Sequence, residues 1–457
     1  MVRVQELLER QQTWFQTGES RSYAYRLTQL KKLKQAVVER EAAILEALRS
    51  DLGKSEHEAY TLEIGPFYAE INFAIKHLRR WMKPKRVKTP MTHLGSRSWI
   101  MPEPLGSVLI VSPWNYPFNL TLTPLIGAIA AGNTAIIKPS ELSVATAGII
   151  EALISENFPP AFIAVVQGGA DTSRELVALP FDHIFYTGGT EVGKLVMAAA
   201  AQHLTPVTLE LGGKSPCIVH HDASIALAAK RIAFGKFLNS GQTCVAPDYL
   251  LVHRSVKDAL LEALAQAVAS FYGDEPLKHP DYGRIASRRH YDRLKSFLQD
   301  GKAAFGGGSD DEALRIAPTV LEDVAWSSPV MQEEIFGPIL PVFAYEDLQE
   351  AIALVNARPK PLALYVFSRS EAVQRRLTSS LSFGGGCIND TMLHLGSPYL
   401  PFGGVGQSGT GSYHGEQSFL TFSHRKSVLK QTTAFDFPFR YPSFKNGVKI
   451  IRMLMKP

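Results

Sequence analysis

The feature that most constrains this 457-residue chain is a series of short, uninterrupted apolar runs separated by helix-like segments. Ser107-Val-Leu-Ile-Val-Ser112 has the length of a strand, and Thr134-Ala-Ile-Ile-Lys138 follows it after a helical stretch around Leu125 to Ala131. Apolar runs of this length bounded by turn signals predict buried strands. The alternation continues through 161–166, 184–186 and 207–211, the pattern of a parallel sheet with crossover helices. A second alternating block runs through 217–219, a helix over 223–238, a strand over 249–252 and a helix over 256–271. It predicts a separate α/β domain.

Upstream, residues from about Gln5 to Met82 are helical in pattern: Leu27, Leu30, Leu33 and Val37 recur at three- and four-residue intervals, and Ile44 and Leu48 continue the stripe. Gly53 stops one helix, and Lys83-Pro-Lys-Arg-Val-Lys-Thr-Pro90 breaks the next with two prolines and positive charge. From there to Pro104 the chain reads as an exposed excursion. The glycine clusters at 306–308 and 384–386 read as turns or close backbone approaches, and no period of 20 to 50 residues indicates a solenoid. The tail from about Phe444 interleaves Lys445, Lys449, Arg452 and Lys456 with Ile450, Ile451, Met453 and Leu454. Such a segment suits a membrane surface, a cover over a hydrophobic entrance, or a terminal helix docked on its own protein, the last being favoured.

A chain of this length predicts two or three domains. A formal charge of +5 with scattered basic residues carries no nucleic-acid footprint. Cys217, Cys244 and Cys387 are odd in number and lack CxxC spacing, which argues against a disulfide framework or a thiolate zinc site and for a reducing compartment. The charged start lacks an apolar signal region, no run approaches the roughly 18 apolar residues of a membrane span, and the end offers no cysteine for prenylation. The expectation is a cytoplasmic protein without a metal.

Several residues carry potential chemistry. Cys244 lies in Leu238-Asn-Ser-Gly-Gln-Thr-Cys244, on a loop between a helix and a strand, where reactive thiolates are presented. The competing reading is a small buried hydrophobe, which suits Cys217 well. A cysteine hydrolase would require a histidine partner, absent from this local motif. Glu210 stands between two leucines at the end of a buried strand; burial makes a carboxylate a better proton acceptor at neutral pH, unless Lys214 neutralises it or it caps the turn. Asn115, after a strand and before Tyr116-Pro117, offers a neutral donor for an oxyanion or simple turn chemistry. Thr187-Gly-Gly-Thr-Glu-Val-Gly193 passes from strand to helix as at a pyrophosphate site, without matching GxGxxG. Lys138 and Glu141 end another strand, where they would meet ribose hydroxyls or, with Ser140, merely begin a helix.

Taken in order, Ser112-Pro-Trp-Asn115, Lys138-Pro-Ser-Glu141, the 187–193 turn, Leu209-Glu-Leu-Gly-Gly-Lys214, Gly241-Gln-Thr-Cys244, Glu333-Glu-Ile-Phe-Gly-Pro338 and Pro401-Phe-Gly-Gly-Val-Gly-Gln-Ser-Gly409 resemble the aldehyde dehydrogenase superfamily over nearly the whole chain. The short N-terminus and Gly411-Ser-Tyr-His-Gly415 resemble its class 3 branch, which includes long-chain fatty aldehyde dehydrogenases. The resemblance implies an α/β fold with a Rossmann-type cofactor domain (1–83 and 105–209), a catalytic domain (210–390), bridging elements that serve oligomerisation (84–104 and 410–430) and a tail (431–457). It implies Cys244 as nucleophile, Glu210 as base for the deacylating water, and Asn115 as oxyanion donor. Lys138 and Glu141 would hold the adenosine ribose, Gly188 and Gly189 would lie near the pyrophosphate, Glu334 would bond the nicotinamide ribose and Phe336 would pack beside the nicotinamide. The cofactor would be NAD or NADP, with NAD favoured because Glu141 opposes a 2′-phosphate. The expected substrate is a long or bulky hydrophobic aldehyde of fatty, aromatic or apocarotenoid type, and the expected assembly a homodimer, with the tail as a point of peripheral membrane contact.

Overall fold

The computed structural model describes residues 4–455. Its first sheet has six strands in the spatial order Gly409–Thr410, Val207–Leu211, His183–Gly188, Ser107–Val111, Thr134–Lys138 and Ile163–Val165. All pair in parallel except the short Gly409–Thr410 strand, which runs antiparallel against Val207–Leu211. Ser107–Val111 and Thr134–Lys138 are buried along their whole length, which is why their sequences show no polar alternation. The helix Asn119–Ala131 joins them and is itself buried from Thr121 to Ala131. It ends at Gly132, a left-handed residue (φ 93°) where an added Cβ would meet the Arg26 guanidinium at 2.6 Å. Arg26 donates to the carbonyl of Ala130 at 3.1 Å, placing a cation where a helix end is most negative.

The helices Tyr23–Glu39, Glu41–Leu52 and Gly65–Trp81 pack against Asn119–Ala131 and Val144–Asn157, which in turn contact this sheet. Leu30, Leu33, Val37, Ile44 and Leu48 are fully buried, while Leu27 lies at the edge of the same core. The second sheet has seven strands in the order Lys302–Phe305, Thr319–Glu322, Ile339–Tyr345, Tyr249–His253, Pro216–Val219, Ala363–Phe367 and Gly385–Ile388. Only its outermost strand, Lys302–Phe305, pairs antiparallel. Gly384 and Gly386 are close backbone approaches, since a Cβ on either would lie within 2.3 Å of a carbonyl oxygen.

The stretch read as an exposed excursion is largely exposed or half-exposed, and it is also regular. Lys85–Val87 and Ser96–Pro104 form an antiparallel sheet with Ser423–Gln431, nine residues in continuous register with their partners. Its charged, half-exposed residues hide the strand period from hydrophobicity alone. The tail differs too. The helix Gly447–Leu454 leaves Val448, Met453, Leu454 and Met455 exposed and Ile450 and Ile451 only half-buried, and it packs against Pro438–Arg440 of the tail itself, short of the full docking favoured above. Lys456 lies outside the described residues.

Candidate active site

The loop carrying Cys244 is held by its own polar residues. After the helix Ile225–Phe237, three successive residues, Asn239, Ser240 and Gly241, take left-handed backbone angles (φ 52°, 51° and 73°). Such angles cost of order 1–3 kcal/mol for a non-glycine residue and persist only where the surroundings enforce them. Here they do. Asn239 donates its amide to the carbonyls of Asn115 and Gln242 at 2.9 and 3.1 Å, and its backbone N–H donates to Glu58. Gln242 donates to the carbonyls of Asn239 and Arg284, both at 3.0 Å, and accepts from the backbone of Ala286 at 2.9 Å. Gly241 allows no side chain, because a Cβ would lie 2.2 Å from the Gly337 carbonyl oxygen. Cys244 therefore projects from a rigid turn into a cleft of about 1180 Å³.

Glu210 and Asn115 line the same cleft. Glu210 precedes the last residue of its strand, and neither carboxylate oxygen has a hydrogen-bond partner. Lys214 does not neutralise it. That lysine pairs with Asp248 and donates to the carbonyls of Val330 and Glu333, each at 2.9 Å. Burial alone pushes the Glu210 carboxyl well above the usual carboxylate range. Asn115 is 2% exposed and gives one amide hydrogen to the Gln242 carbonyl at 3.0 Å, leaving the second of its two donors for a ligand. Burial first, and then the Glu334 and Glu210 carboxylates, push the Cys244 thiol up, against backbone N–H groups of Cys244 and Val245 that favour the thiolate.

The other end of the cleft suits a nucleotide. The strand His183–Gly188 passes through Gly189 into the helix Thr190–Ala201, whose first N–H groups receive no side-chain cap, so they are available to an anion. Thr187 Oγ1 is buried beside them without a partner. Glu334 and Phe336 also line the cleft. A Cβ on Gly212 would lie 1.8 Å from Glu334 Oε2, so only glycine lets that carboxylate approach. Burial, with Asp248 adding, raises the Glu334 carboxyl to about 8. Phe336 has a left-handed backbone (φ 53°) and packs edge-on against Trp114 with ring centroids 5.3 Å apart.

Cys244, Glu210, Asn115, Gly188, Gly189, Glu334 and Phe336 thus converge on one cleft, whereas Lys138 and Glu141 are not among its walls. Those two form an ion pair at 2.6 Å at the end of the adjoining strand. Burial raises the Glu141 carboxyl, but the Lys138 ammonium and a backbone N–H outweigh it and hold it below the usual range. The family model for aldehyde dehydrogenases matches residues 3–428. The chain belongs to the aldehyde dehydrogenase family.

Among its relatives is the 4,4'-diaponeurosporen-aldehyde dehydrogenase of Staphylococcus aureus (strain NCTC 8325 / PS 47), 51% identical over 97% of this chain and 97% of that protein. The dimeric NADP-preferring aldehyde dehydrogenase of Rattus norvegicus is 47% identical over 94% of this chain and 95% of its own. The aldehyde dehydrogenase family 3 member A2 of the same animal is 48% identical over 92% and 87%. A solved structure of the substrate-bound state of Staphylococcus aureus AldH superposes with a TM-score of 0.98 at 50% identity, covering all of both chains. This aldehyde dehydrogenase is therefore class 3-like, an oxidoreductase that converts an aldehyde to a carboxylic acid with a nicotinamide dinucleotide. Among the described residues no helix is long and apolar enough to cross a membrane.

The other two cysteines stand apart from this chemistry. Cys217 is fully buried in its strand. Cys387 Sγ lies 3.4 Å from His394 Nδ1, and neither residue lines the cleft. Sequence reasoning missed Lys54, Glu58, Glu63 and Tyr116, all buried around the loop that carries Cys244. The three charged residues lie in a segment of helical pattern that gives no local sign that they turn inward, and Tyr116 reads only as part of a turn before a proline.

Proposed function

We propose that this aldehyde dehydrogenase oxidises a long or bulky hydrophobic aldehyde, with Cys244 as nucleophile, Asn115 as oxyanion donor and Glu210 as general base. The observation that carries the reading is the unpartnered, buried Glu210 carboxylate in one cleft with Cys244 and the free amide hydrogen of Asn115. Addition of the Cys244 thiolate to the carbonyl carbon puts negative charge on oxygen, and a donor aimed there stabilises the transition state more than the ground state. Loss of hydride from that adduct leaves a thioester on Cys244. Glu210 then takes a proton from water as the water's oxygen attacks the thioester carbon, and the carbon–sulfur bond breaks to release the acid.

The bound dinucleotide supplies the hydride acceptor. Thr187, the Gly188–Gly189 turn, Glu334 and Phe336 are the residues of this cleft suited to hold it, with Lys138 and Glu141 at the adenosine ribose. Glu141, already engaged by Lys138, opposes a 2′-phosphate, so NAD is favoured over NADP. Trp114, Leu120, Phe402 and Tyr413 give the cleft apolar walls, and one relative acts, by its name, on 4,4'-diaponeurosporen-aldehyde.

A cofactor domain of residues 1–83 and 105–209, a catalytic domain of 210–390 and a homodimer joined through the bridging elements complete the proposal, in a cytoplasmic setting. The exposed Val448, Met453 and Leu454 beside Lys449 and Arg452 further support tail contact with an anionic membrane surface. The decisive experiment is a screen of aldehyde chain lengths with each nucleotide, read by absorbance of the reduced cofactor. Higher kcat/KM on long-chain than on two-carbon aldehydes is expected, and a strong preference for acetaldehyde overturns the substrate assignment.

A further inference from the structure

One buried cation stands behind the nucleophile with no role in the chemistry above. Gly53 ends the helix Glu41–Leu52 in a left-handed conformation (φ 68°), and the chain then turns inward, burying Lys54 to 1% exposure. Its ammonium meets Glu63 Oε1 at 2.5 Å, and both side chains are inaccessible to solvent. Glu63 lies in Tyr60–Ile64, a π-helical turn set between two α-helical segments. Such turns lengthen a helix by one residue and concentrate at functional sites. The second oxygen of Glu63 accepts from the backbone N–H groups of Phe118 and Asn119 at 3.0 and 2.9 Å. This carboxylate thus grips the beginning of the helix that follows Asn115.

Lys54 itself donates to the backbone carbonyl of Asn115 at 2.8 Å. That carbonyl also accepts from Asn239 at 2.9 Å, so both of its lone pairs are engaged and its peptide plane is fixed. The same ammonium sits 4.1 Å from the centroid of the Tyr116 ring, a cation–π contact. The Tyr116 hydroxyl bonds Thr243 Oγ1 at 2.5 Å, one residue before Cys244. Buried ion pairs add little net stability compared with apolar residues of the same volume, so stability alone does not account for a lysine here. We infer that Lys54, held by Glu63, is a positioning residue that fixes the backbone of Asn115 and so aims its amide at the oxyanion formed on the Cys244 adduct.

The inference rests on the oxyanion role of Asn115 given above, and a double-mutant cycle separates the two. Lys54→Met/Glu63→Gln removes the pair without leaving a charge buried. It is compared with wild type, Asn115→Ala and the combined variant by the single-turnover rate of nicotinamide reduction at saturating substrates, normalised to titrated Cys244 thiol. Misplacement of a reacting group by about 1 Å costs up to roughly 100-fold, so a 10- to 100-fold slowing is expected, with half-saturating aldehyde changed less than about 3-fold. In the Asn115→Ala background the same replacement should slow the step less than about 3-fold, because the donor it aims is gone.

Equal slowing in both backgrounds, or none in the wild-type background, overturns the positioning role. An Asn115→Ala variant that reduces nicotinamide at the wild-type rate overturns the oxyanion reading itself. Where the double replacement does not fold, Glu63→Gln takes its place in the same cycle. It is nearly isosteric but cannot serve Lys54 and both backbone N–H groups at full strength.

Discussion

Two buried glutamates near Cys244, Glu63 and Glu210, have opposite environments. Glu63 is saturated, with a lysine on one oxygen and two backbone N–H groups on the other. Glu210 has no partner on either oxygen. Burial raises the carboxyl of both, but only around Glu63 do a cation and hydrogen bonds pull back. A carboxylate satisfied by the fold holds other groups in place, whereas one left unsatisfied keeps its lone pairs for a water or a proton. The fold bears a cost of a few kcal/mol for an unmade buried hydrogen bond at Glu210, where the proposed chemistry uses it, and avoids that cost at Glu63.

That contrast can be broken at graded levels. Cys244→Ala removes the proposed nucleophile, and dehydrogenation should fall by roughly 10⁴-fold or more, measured as reduced nucleotide formed per mole of enzyme. Glu210→Gln should lower steady-state turnover about 10²- to 10⁴-fold while keeping the first burst of reduced nucleotide. An acyl adduct on Cys244 should then accumulate in the intact-protein mass spectrum. A normal steady-state rate in this variant would contradict the assignment of the base. In stability the order should reverse. Glu63→Leu strands the Lys54 ammonium and should cost about 3–5 kcal/mol in denaturant unfolding, whereas Glu210→Gln removes a group with no partner to lose and should be nearly neutral. Equal losses would erase the distinction between the two sites.

Glu58 provides the smallest and most graded test. Burial, opposed by Lys54 and the Asn239 N–H, raises its carboxyl from 4.5 to about 7. A carboxyl raised in the folded state binds its proton more tightly there than when unfolded. Its contribution to stability is therefore full below about 4.5 and lost as pH rises through about 7. Replacing it with glutamine keeps an acceptor for the Asn239 N–H and should reduce the fall in unfolding free energy between about pH 5 and pH 8 by roughly 2–3 kcal/mol. A pH dependence identical to wild type would place the ionisation of Glu58 elsewhere.

The parallel strands and the chemical motifs were legible in the chain for one reason: each is a local statement. A strand buried on both faces, such as Ser107–Val111, must be apolar at every position, and Gly241, whose Cβ would strike a carbonyl at 2.2 Å, can be no other residue. Family membership followed from the order of such motifs. Where cause and consequence lie far apart in sequence, the residue pattern showed the exposure of a segment but not its pairing. Ser96–Pro104 becomes a strand because Ser423–Gln431 pairs with it, and neither segment carries a periodic apolar face. The tail's apolar residues gave an amphipathic pattern without saying what they face, and the structure leaves Met453 and Leu454 exposed and Ile450 and Ile451 half-buried.

The site divides along the same line. The sequence alone specified a thiol on a loop, a carboxylate at a strand end and an asparagine after a strand. Only tertiary structure settled that Glu210 is not neutralised by Lys214, whose ammonium is taken by Asp248, and that Lys54 reaches Asn115 across 61 residues. A residue's protonation and reach depend on which distant groups share its low-dielectric surroundings. That is a property of the packed chain, and no window of sequence contains it.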